Sequence, residues 1–254
     1  MAGSNNRLVS LDIFRGITVV FMIIVNTPGR WEYVYAPLRH AKWHGCTPTD
    51  LVFPFFLFIV GVSTYYSLKK YGSEFNWGSV WRIFRRMILI FAVGLLLAIF
   101  PRFIRDYSEL RIPGVLQRIA IAYVFAAIIC LSVRREFLWI VIAVILLTYW
   151  ALLYFFGGND PYSLESNLVR QIDLALLGAN HIYKGYGVPF DPEGLLSTLP
   201  AIATVLIGYF VGSMIDTTKK TGLVFLKLIL YGIAAAGLGY LWGLVLPINK
   251  PLWT

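Results

Sequence analysis

Charged residues are scarce in this chain, and their scarcity excludes most classes of soluble protein. Asp, Glu, Lys and Arg make up 14% of the 254 residues, whereas hydrophobic residues make up 58%. A soluble domain ordinarily carries about 25% charged residues. Several apolar runs reach the length of about 20 residues that a helix needs to cross a hydrocarbon layer. The composition therefore predicts an all-α integral membrane protein, a polytopic bundle of transmembrane helices in a lipid bilayer.

Cysteine and histidine are rarer still, which narrows the possible chemistry. The two cysteines, Cys46 and Cys130, cannot make a disulfide framework. We expect Cys130, inside an apolar run, to be a packing residue, and Cys46, in a polar loop, to be incidental rather than nucleophilic. Two of the three histidines, His40 and His44, are four positions apart, but Gly45 breaks any helix that would align them. Because the spacing of a zinc cluster is also missing, we expect no metal site.

The net charge of +9 comes from basic residues that fall mainly in short loops between the apolar runs. That distribution is typical of cytoplasmic loops facing anionic lipid, so we expect no nucleic-acid partner. A cytoplasmic N-terminus places three basic clusters on the cytoplasmic side, although basic residues elsewhere make the totals on the two sides nearly equal. The clusters are Lys69 and Lys70 with Arg82, Arg85 and Arg86, then Arg134 and Arg135, then Lys219 and Lys220. No small-residue cleavage site follows the first apolar run, so we expect that run to remain as a membrane helix.

The apolar runs predict about seven spans within a single transmembrane domain, residues 1–254. The spans cover residues 11–26, 51–68, 86–103, 115–133, 137–156, 195–215 and 223–246. Residues 157–194 form a long extramembrane loop, in which the stretch SNLVRQIDLALLG has the periodicity of a short interfacial helix. Two small-x-x-x-small pairs, Gly208 with Gly212 and Gly239 with Gly243, favour close helix contacts and would allow a homodimer.

The polar loop between the first two spans holds the strongest candidates for chemistry. Titratable groups beside a membrane are costly, so they mark a functional site by default, although a simply solvated loop is the alternative. A histidine is suited to taking a proton from an attacking group near neutral pH, which makes His40 a candidate base. Asn26, at the end of the first span, carries an amide that could polarise a carbonyl or orient that histidine.

A second group of candidates lies at the mouth of the fourth span, in the stretch LRIPGVLQRIA. Arg111, Gln117 and Arg118 flank a helix start, where backbone N–H groups and guanidinium groups can hold a phosphate. This arrangement would suit the phosphates of a nucleotide-like cosubstrate. Arginines that only bind lipid headgroups explain it equally well.

Two acidic motifs also qualify as substrate contacts. Asp12 and Arg15 share one face at the start of the first span, as either a structural ion pair or a substrate contact. Asp191 and Glu193 precede the sixth span, where acids complement the helix dipole. Asp191 and Glu193 could therefore either cap this helix or bind substrate.

Five longer stretches are similar to those of a known family. They read RLVSLDIFRG, FMIIVN, HAKWHGCTPTDLVFPFFLFIVG, LRIPGVLQRIAIAY and DPEGLLSTLPAIATVLIG. In this order they resemble the heparan-α-glucosaminide N-acetyltransferase family, in particular its bacterial members. The resemblance covers most of residues 7–254 and implies a multi-pass enzyme that moves acetyl from acetyl-CoA to the amine of a glucosamine-type sugar. It also implies a bacterial inner-membrane location.

The resemblance implies roles for single residues. His40 matches the position of the family's active-site histidine, as general base or acyl carrier, and His44 is a weaker match. Asn26 matches the family asparagine at the end of the first span, and Asp50 the acid before the LVFP run. Family members continue for several helices beyond a segment that resembles LPINKPLWT, so we expect this bundle to lack the family's last helices. A transporter or sugar-lipid flippase without covalent chemistry remains the alternative.

Overall fold

Eight α-helices account for most of the chain in a computed structural model that describes residues 8–71, 75–100, 107–218 and 220–254. They are α1 (Val9–Asn26), α2 (Val52–Tyr71), α3 (Trp77–Ile99), α4 (Val115–Ser132), α5 (Leu138–Phe156), α6 (Leu168–Leu177), α7 (Thr198–Thr217) and α8 (Thr221–Trp242). Among these residues there is no β-strand, only an isolated bridge between Gly45 and Asn249. The predicted all-α membrane bundle is confirmed, and most helix ends lie within three residues of the predicted ones.

The predicted number of spans is wrong by one. Within the described residues, six helices are long and apolar enough to cross a membrane. The exception is α3, because Arg82, Arg85 and Arg86 lie in its first half and shorten its apolar part. The predicted end of this span, at residue 103, lies outside the described residues, as does Lys219 in the third basic cluster.

The centre of the bundle is a close, parallel contact between α2 and α7. A Cβ atom on Gly61 would lie 2.0 Å from the carbonyl oxygen of Val205, and one on Gly208 would lie 2.2 Å from that of Phe58. Glycine is therefore required at both positions, because any side chain would push the backbones apart. Gly208 thus serves packing within the chain, whereas a Cβ on Gly239 of α8 would meet nothing within 4 Å. A homodimer stays a prediction.

The parallel packing of α2 and α7 gives the bundle two chemically different ends. We call the end where α1 finishes and where α2, α4 and α7 begin the site end. The chain between α5 and α7 folds over the site end and includes α6, whose position agrees with the predicted short helix. By contrast, none of the 22 residues of α8 is buried.

Candidate active site

The core of the site is a hydrogen-bonded pair formed by His40 and Asp50. The His40 Nδ1 atom lies 2.6 Å from Asp50 Oδ1. A carboxylate only accepts hydrogen bonds, so Nδ1 carries the hydrogen, and in the neutral imidazole Nε2 keeps its lone pair. The His40 side chain is 47% exposed whereas that of Asp50 is 1% exposed. The pair therefore has a fixed, buried acid and an imidazole whose Nε2 is open to a substrate.

Asp50 is held by the loop that it organises. Its Oδ2 atom accepts hydrogen bonds from the backbone N–H groups of Ala41 at 3.1 Å and Thr47 at 2.9 Å. Thr47 and Asp50 form a capping box at the short 3₁₀ turn Pro48–Leu51, which leads into α2. These bonds fix both ends of the segment from Ala41 to Thr47, which directly follows His40, so the imidazole is oriented by the fold before any substrate arrives.

The turn after His40 is anchored to distant parts of the chain. The indole N–H of Trp43 donates to the carbonyl oxygen of Tyr162 at 2.9 Å, and its ring packs edge-on against Phe190 at 5.1 Å. Gly45, at φ +110°, donates its N–H to the carbonyl oxygen of Ile248 at 2.7 Å. A left-handed backbone of this kind favours glycine. The loop is thus clamped between the segment before α7 and the last residues of the chain.

His40 and Asp50 face a cavity of about 450 Å³ at the site end. Asn26 lines the same cavity from the end of α1, and its side-chain N–H donates to the carbonyl oxygen of Met22 at 2.9 Å. Arg111 and Glu193 line it from the opposite side. The structure therefore brings together five of the ten residues predicted from the sequence, around one space large enough for a small ligand.

Arg111 is fixed by two buried acids. Its Nε and Nη2 atoms donate to the two oxygens of Asp191 at 2.8 and 2.6 Å, and Nη2 also bonds to Glu193. Asp191 is fully buried and also accepts the backbone N–H groups of Tyr183 and Glu193, at 3.0 and 2.9 Å. Asp191 does not line the cavity; it holds the arginine that does.

Arg118 and Gln117 are buried in the first turn of α4 rather than displayed to the cavity. Arg118 is 1% exposed and donates to the Gly194 carbonyl oxygen at 3.1 Å and to the Ser197 hydroxyl. It therefore ties the start of α4 to the start of α7. Gln117 lines a neighbouring space together with Arg111.

A buried acid that the sequence did not predict as a site residue lies beside the junction of α4 and α7. Asp173 of α6 is fully buried, and its Oδ1 atom accepts the N–H of Leu195 at 2.9 Å. Its Oδ2 atom has no hydrogen-bond partner among the described residues. Burial raises the pKa of Asp173 to about 7. The apolar spacing of the surrounding stretch predicted α6, but nothing in the sequence indicated that the face of α6 carrying Asp173 would be buried.

The candidates outside the cavity have local partners. Arg15 bonds to Asp12 at 3.5 Å and to the Ser63 hydroxyl at 3.0 Å, at the end of α1 remote from Asn26, about 20 Å away along the helix. His44 lies beside Asn249, at 3.5 Å, and not in the His40 cavity. Substrate contacts by Asp12 and Arg15 stay a prediction, to which this geometry gives no support.

Lys250 is the cavity residue that the sequence interpretation missed, together with Tyr183 and Tyr186. It follows Asn249, which is fully buried and bonds through Oδ1 to the N–H of Leu252 at 2.8 Å. Reaching the site from the end of the chain requires the contact between Gly45 and Ile248, which no local pattern predicts. Burial and the charge of Asp50 raise the pKa of the nearby Cys46 thiol, as expected for an unactivated cysteine.

Fold and site define a multi-pass membrane protein with a histidine–aspartate pair in a cavity at one end of its bundle. A family model described as "Heparan-alpha-glucosaminide N-acetyltransferase, catalytic" matches residues 7–237. The chain belongs to this family.

Two curated relatives carry the name heparan-alpha-glucosaminide N-acetyltransferase. The mouse protein (Mus musculus) is 29% identical over an alignment that covers 99% of this chain, and the human protein (Homo sapiens) is 28% identical over 98%. These alignments cover 46% and 45% of the two relatives. The chain thus spans less than half the length of the curated relatives that it matches.

Proposed function

We propose that this protein is a membrane acetyltransferase that moves acetyl from acetyl-CoA to the amine of a glucosamine-type sugar. The observation that carries the proposal is the His40–Asp50 pair, with Nε2 of His40 open to the cavity at the site end. Membership of the N-acetyltransferase family supports the reaction class, and the names of the mouse and human relatives support an amino-sugar acceptor.

His40 acts as the general base. The neutral amine attacks the thioester carbonyl while Nε2 of His40 takes a proton from the attacking nitrogen. Asp50 keeps Nδ1 protonated and stabilises the imidazolium that forms. The imidazolium then returns the proton to the thiolate of CoA as the C–S bond breaks, so the products are an amide and a free thiol.

Asn26 and Arg111 complete the cavity in this proposal. One N–H of the Asn26 amide is engaged by Met22, which leaves its second N–H for a carbonyl or hydroxyl of the substrate. Arg111, already neutralised by Asp191 and Glu193, is better placed to shape the cavity than to bind a free phosphate. Glu193 offers carboxylate oxygens to sugar hydroxyl groups, as many sugar sites do.

The proposed location is a bacterial inner membrane with a cytoplasmic N-terminus. Lys69 at the end of α2 pairs with Asp216 at the end of α7, at 2.6 Å, so this basic cluster lies at the end opposite the site. If the basic clusters face the cytoplasm, the cavity faces outward. The acceptor would then be met outside the membrane, and acetyl-CoA supplied from inside would have to reach the same cavity for direct transfer.

The test is acetyl transfer from labelled acetyl-CoA to glucosamine by the purified chain in detergent. Base catalysis contributes about 10²–10⁴-fold, so His40→Ala should lose activity on that scale while melting normally. His44→Ala is the matched control, since that histidine lies outside the cavity and should keep full activity. Undiminished transfer by the His40 variant would remove this residue from the mechanism. Absence of transfer by the wild-type chain would count against the proposed reaction.

A further inference from the structure

The ammonium group of Lys250 lies at the site but has no part in the reaction described so far. It borders two cavities, the His40 cavity and a second, mostly apolar one of about 260 Å³. Asp50 and Lys250 are the residues that line both. The Lys250 side chain therefore lies at the boundary between the two spaces, together with the acid that holds His40.

The backbone that carries Lys250 is fixed. Asn249 before it and Leu252 after it are fully buried, and the Lys250 carbonyl oxygen accepts the N–H of Trp253 at 3.0 Å. The hydroxyl of Tyr149 in α5 bonds to the carbonyl oxygen of Leu252. A flexible, charged side chain on so firmly held a backbone points to a use at the cavity rather than to a solvated surface.

The Lys250 ammonium has no bound partner within the part of the chain that the structure describes: no hydrogen bond or ion pair reaches it. Arg111 differs, because it is occupied by Asp191 and Glu193. The charge of Lys250 is still felt at the site. Burial alone would raise the pKa of Glu193, but the charges of Lys250 and Arg111 hold it below its ordinary value. Three ammonium N–H donors thus remain available at the cavity that His40 lines.

We propose that Lys250 is a catalytic residue that donates hydrogen bonds to the oxyanion formed when the amine attacks the thioester carbonyl. This inference rests on the proposed acetyl transfer. As the nitrogen–carbon bond forms, the carbonyl π electrons move to oxygen, and the ammonium of Lys250 stabilises that negative charge. When the C–S bond breaks, the charge leaves with sulfur, and His40 returns the proton.

Position distinguishes this role from phosphate binding. The phosphates of CoA are separated from the thioester by the whole pantetheine arm, so a cation beside the catalytic base cannot lie near both. Preorganised donors aimed at a developing oxyanion are among the largest contributions to acyl transfer, and removing one costs about 10²–10³-fold in kcat.

The experiment compares Lys250→Met and Lys250→Arg with the wild-type chain in the same acetyl-transfer assay. We expect Lys250→Met to lower kcat about 10²–10³-fold, with the KM of both substrates and the melting temperature nearly unchanged. Lys250→Arg should recover part of the loss, since it keeps the charge and several donors. Lys42→Met removes an exposed lysine of the same loop as His40 and should behave like wild type.

A second measurement distinguishes a catalytic role of the ammonium group from a role of Lys250 in folding. Lys250→Cys in a Cys46→Ser background can be treated with 2-bromoethylamine, which rebuilds an ammonium side chain of nearly the same length. We expect kcat to rise at least tenfold on treatment, with no change in KM. A lysine that only supports the fold would instead give parallel losses of melting temperature and of substrate binding, which would overturn the role.

The outcomes distinguish this proposal from the one on which it rests. Wild-type transfer that Lys250→Met retains would remove the lysine from the mechanism and leave the acetyltransferase intact. Wild-type transfer abolished by His40→Ala, with Lys250→Met lower in kcat alone, would support both. No transfer by wild type would overturn the reaction and the role of the lysine together.

Discussion

An ionic cluster lies near each end of the parallel helices α2 and α7, and the two clusters differ in how far they are buried. At the site end, Arg111 donates to Asp191 and Glu193, whose side chains are 0% and 6% exposed. At the far end, Lys69 and the Tyr65 hydroxyl bond to Asp216, with the lysine side chain 56% exposed. Both are well formed, and the first borders the His40 cavity.

The difference shows how a functional site in a membrane bundle can be told from a solvated pair. An exposed ion pair exchanges hydration for a partner at little net gain. A buried cluster has given up most of its hydration, so its charges must be paired or the fold loses stability. At the site end, charged groups are buried despite this loss of hydration, next to the His40–Asp50 pair. The comparison predicts large effects from changes at the site end and small ones from changes at the far end.

The largest effect is expected from Asp50→Asn. An amide in place of the carboxylate can present its NH₂ group to His40 Nδ1, which would move the imidazole hydrogen to Nε2 and remove the base. We expect kcat for acetyl transfer to fall about 10²–10⁴-fold. Asp160→Asn, an acid of the loop before α6, is the matched control and should leave kcat unchanged. Full activity in the Asp50 variant would separate the pair from catalysis.

Arg111→Leu should have the next largest effect, on stability. The change leaves Asp191 and Glu193 buried without their cation, and breaking a buried pair in this way costs about 3–5 kcal/mol. Thermal unfolding in detergent should show a clear drop in melting temperature. Arg39→Leu, which removes an exposed arginine from the loop before His40, is the control. A drop no larger than that of the control would mean that the two acids are hydrated or protonated without Arg111.

Sequence patterns predicted the helices better than the contacts between distant parts of the chain. Apolar runs are local, so α2 and α7 were located closely. The family resemblance singled out His40 and Asp50 separately, and the structure shows that they are hydrogen-bonded. Lys250 was missed because it reaches the site through a contact with Gly45, some 200 positions earlier, which leaves no local periodicity. The extra span was predicted because the apolar run was taken to begin at Arg86, whereas α3 begins at Trp77 and therefore contains Arg82 and Arg85 as well.

Asp173, another buried acid at the site end, should make the stability of the protein depend on pH. Burial raises its pKa to about 7, so between about pH 4 and pH 7 the folded chain holds a proton that the unfolded chain releases. Stability should therefore fall as the pH rises through this window, by at most about 4 kcal/mol. Asp173→Asn cannot ionise and should flatten the dependence of melting temperature on pH between 4 and 7. Asp160→Asn should retain the wild-type slope, and equal slopes in all three proteins would exclude Asp173 as the cause.

The smallest effect is expected from Lys69→Met at the far end. Its partner Asp216 keeps the hydrogen bond from Tyr65, at 2.9 Å, and water can replace the exposed ammonium. Exposed pairs contribute little, so the melting temperature should stay within about 2 °C of the wild-type value, with unchanged transfer kinetics. Measured beside Arg111→Leu under the same conditions, this variant isolates burial as the variable. A loss as large as that of the Arg111 variant would show that ionic contacts at both ends of α2 and α7 support the fold equally, and burial would no longer distinguish the site.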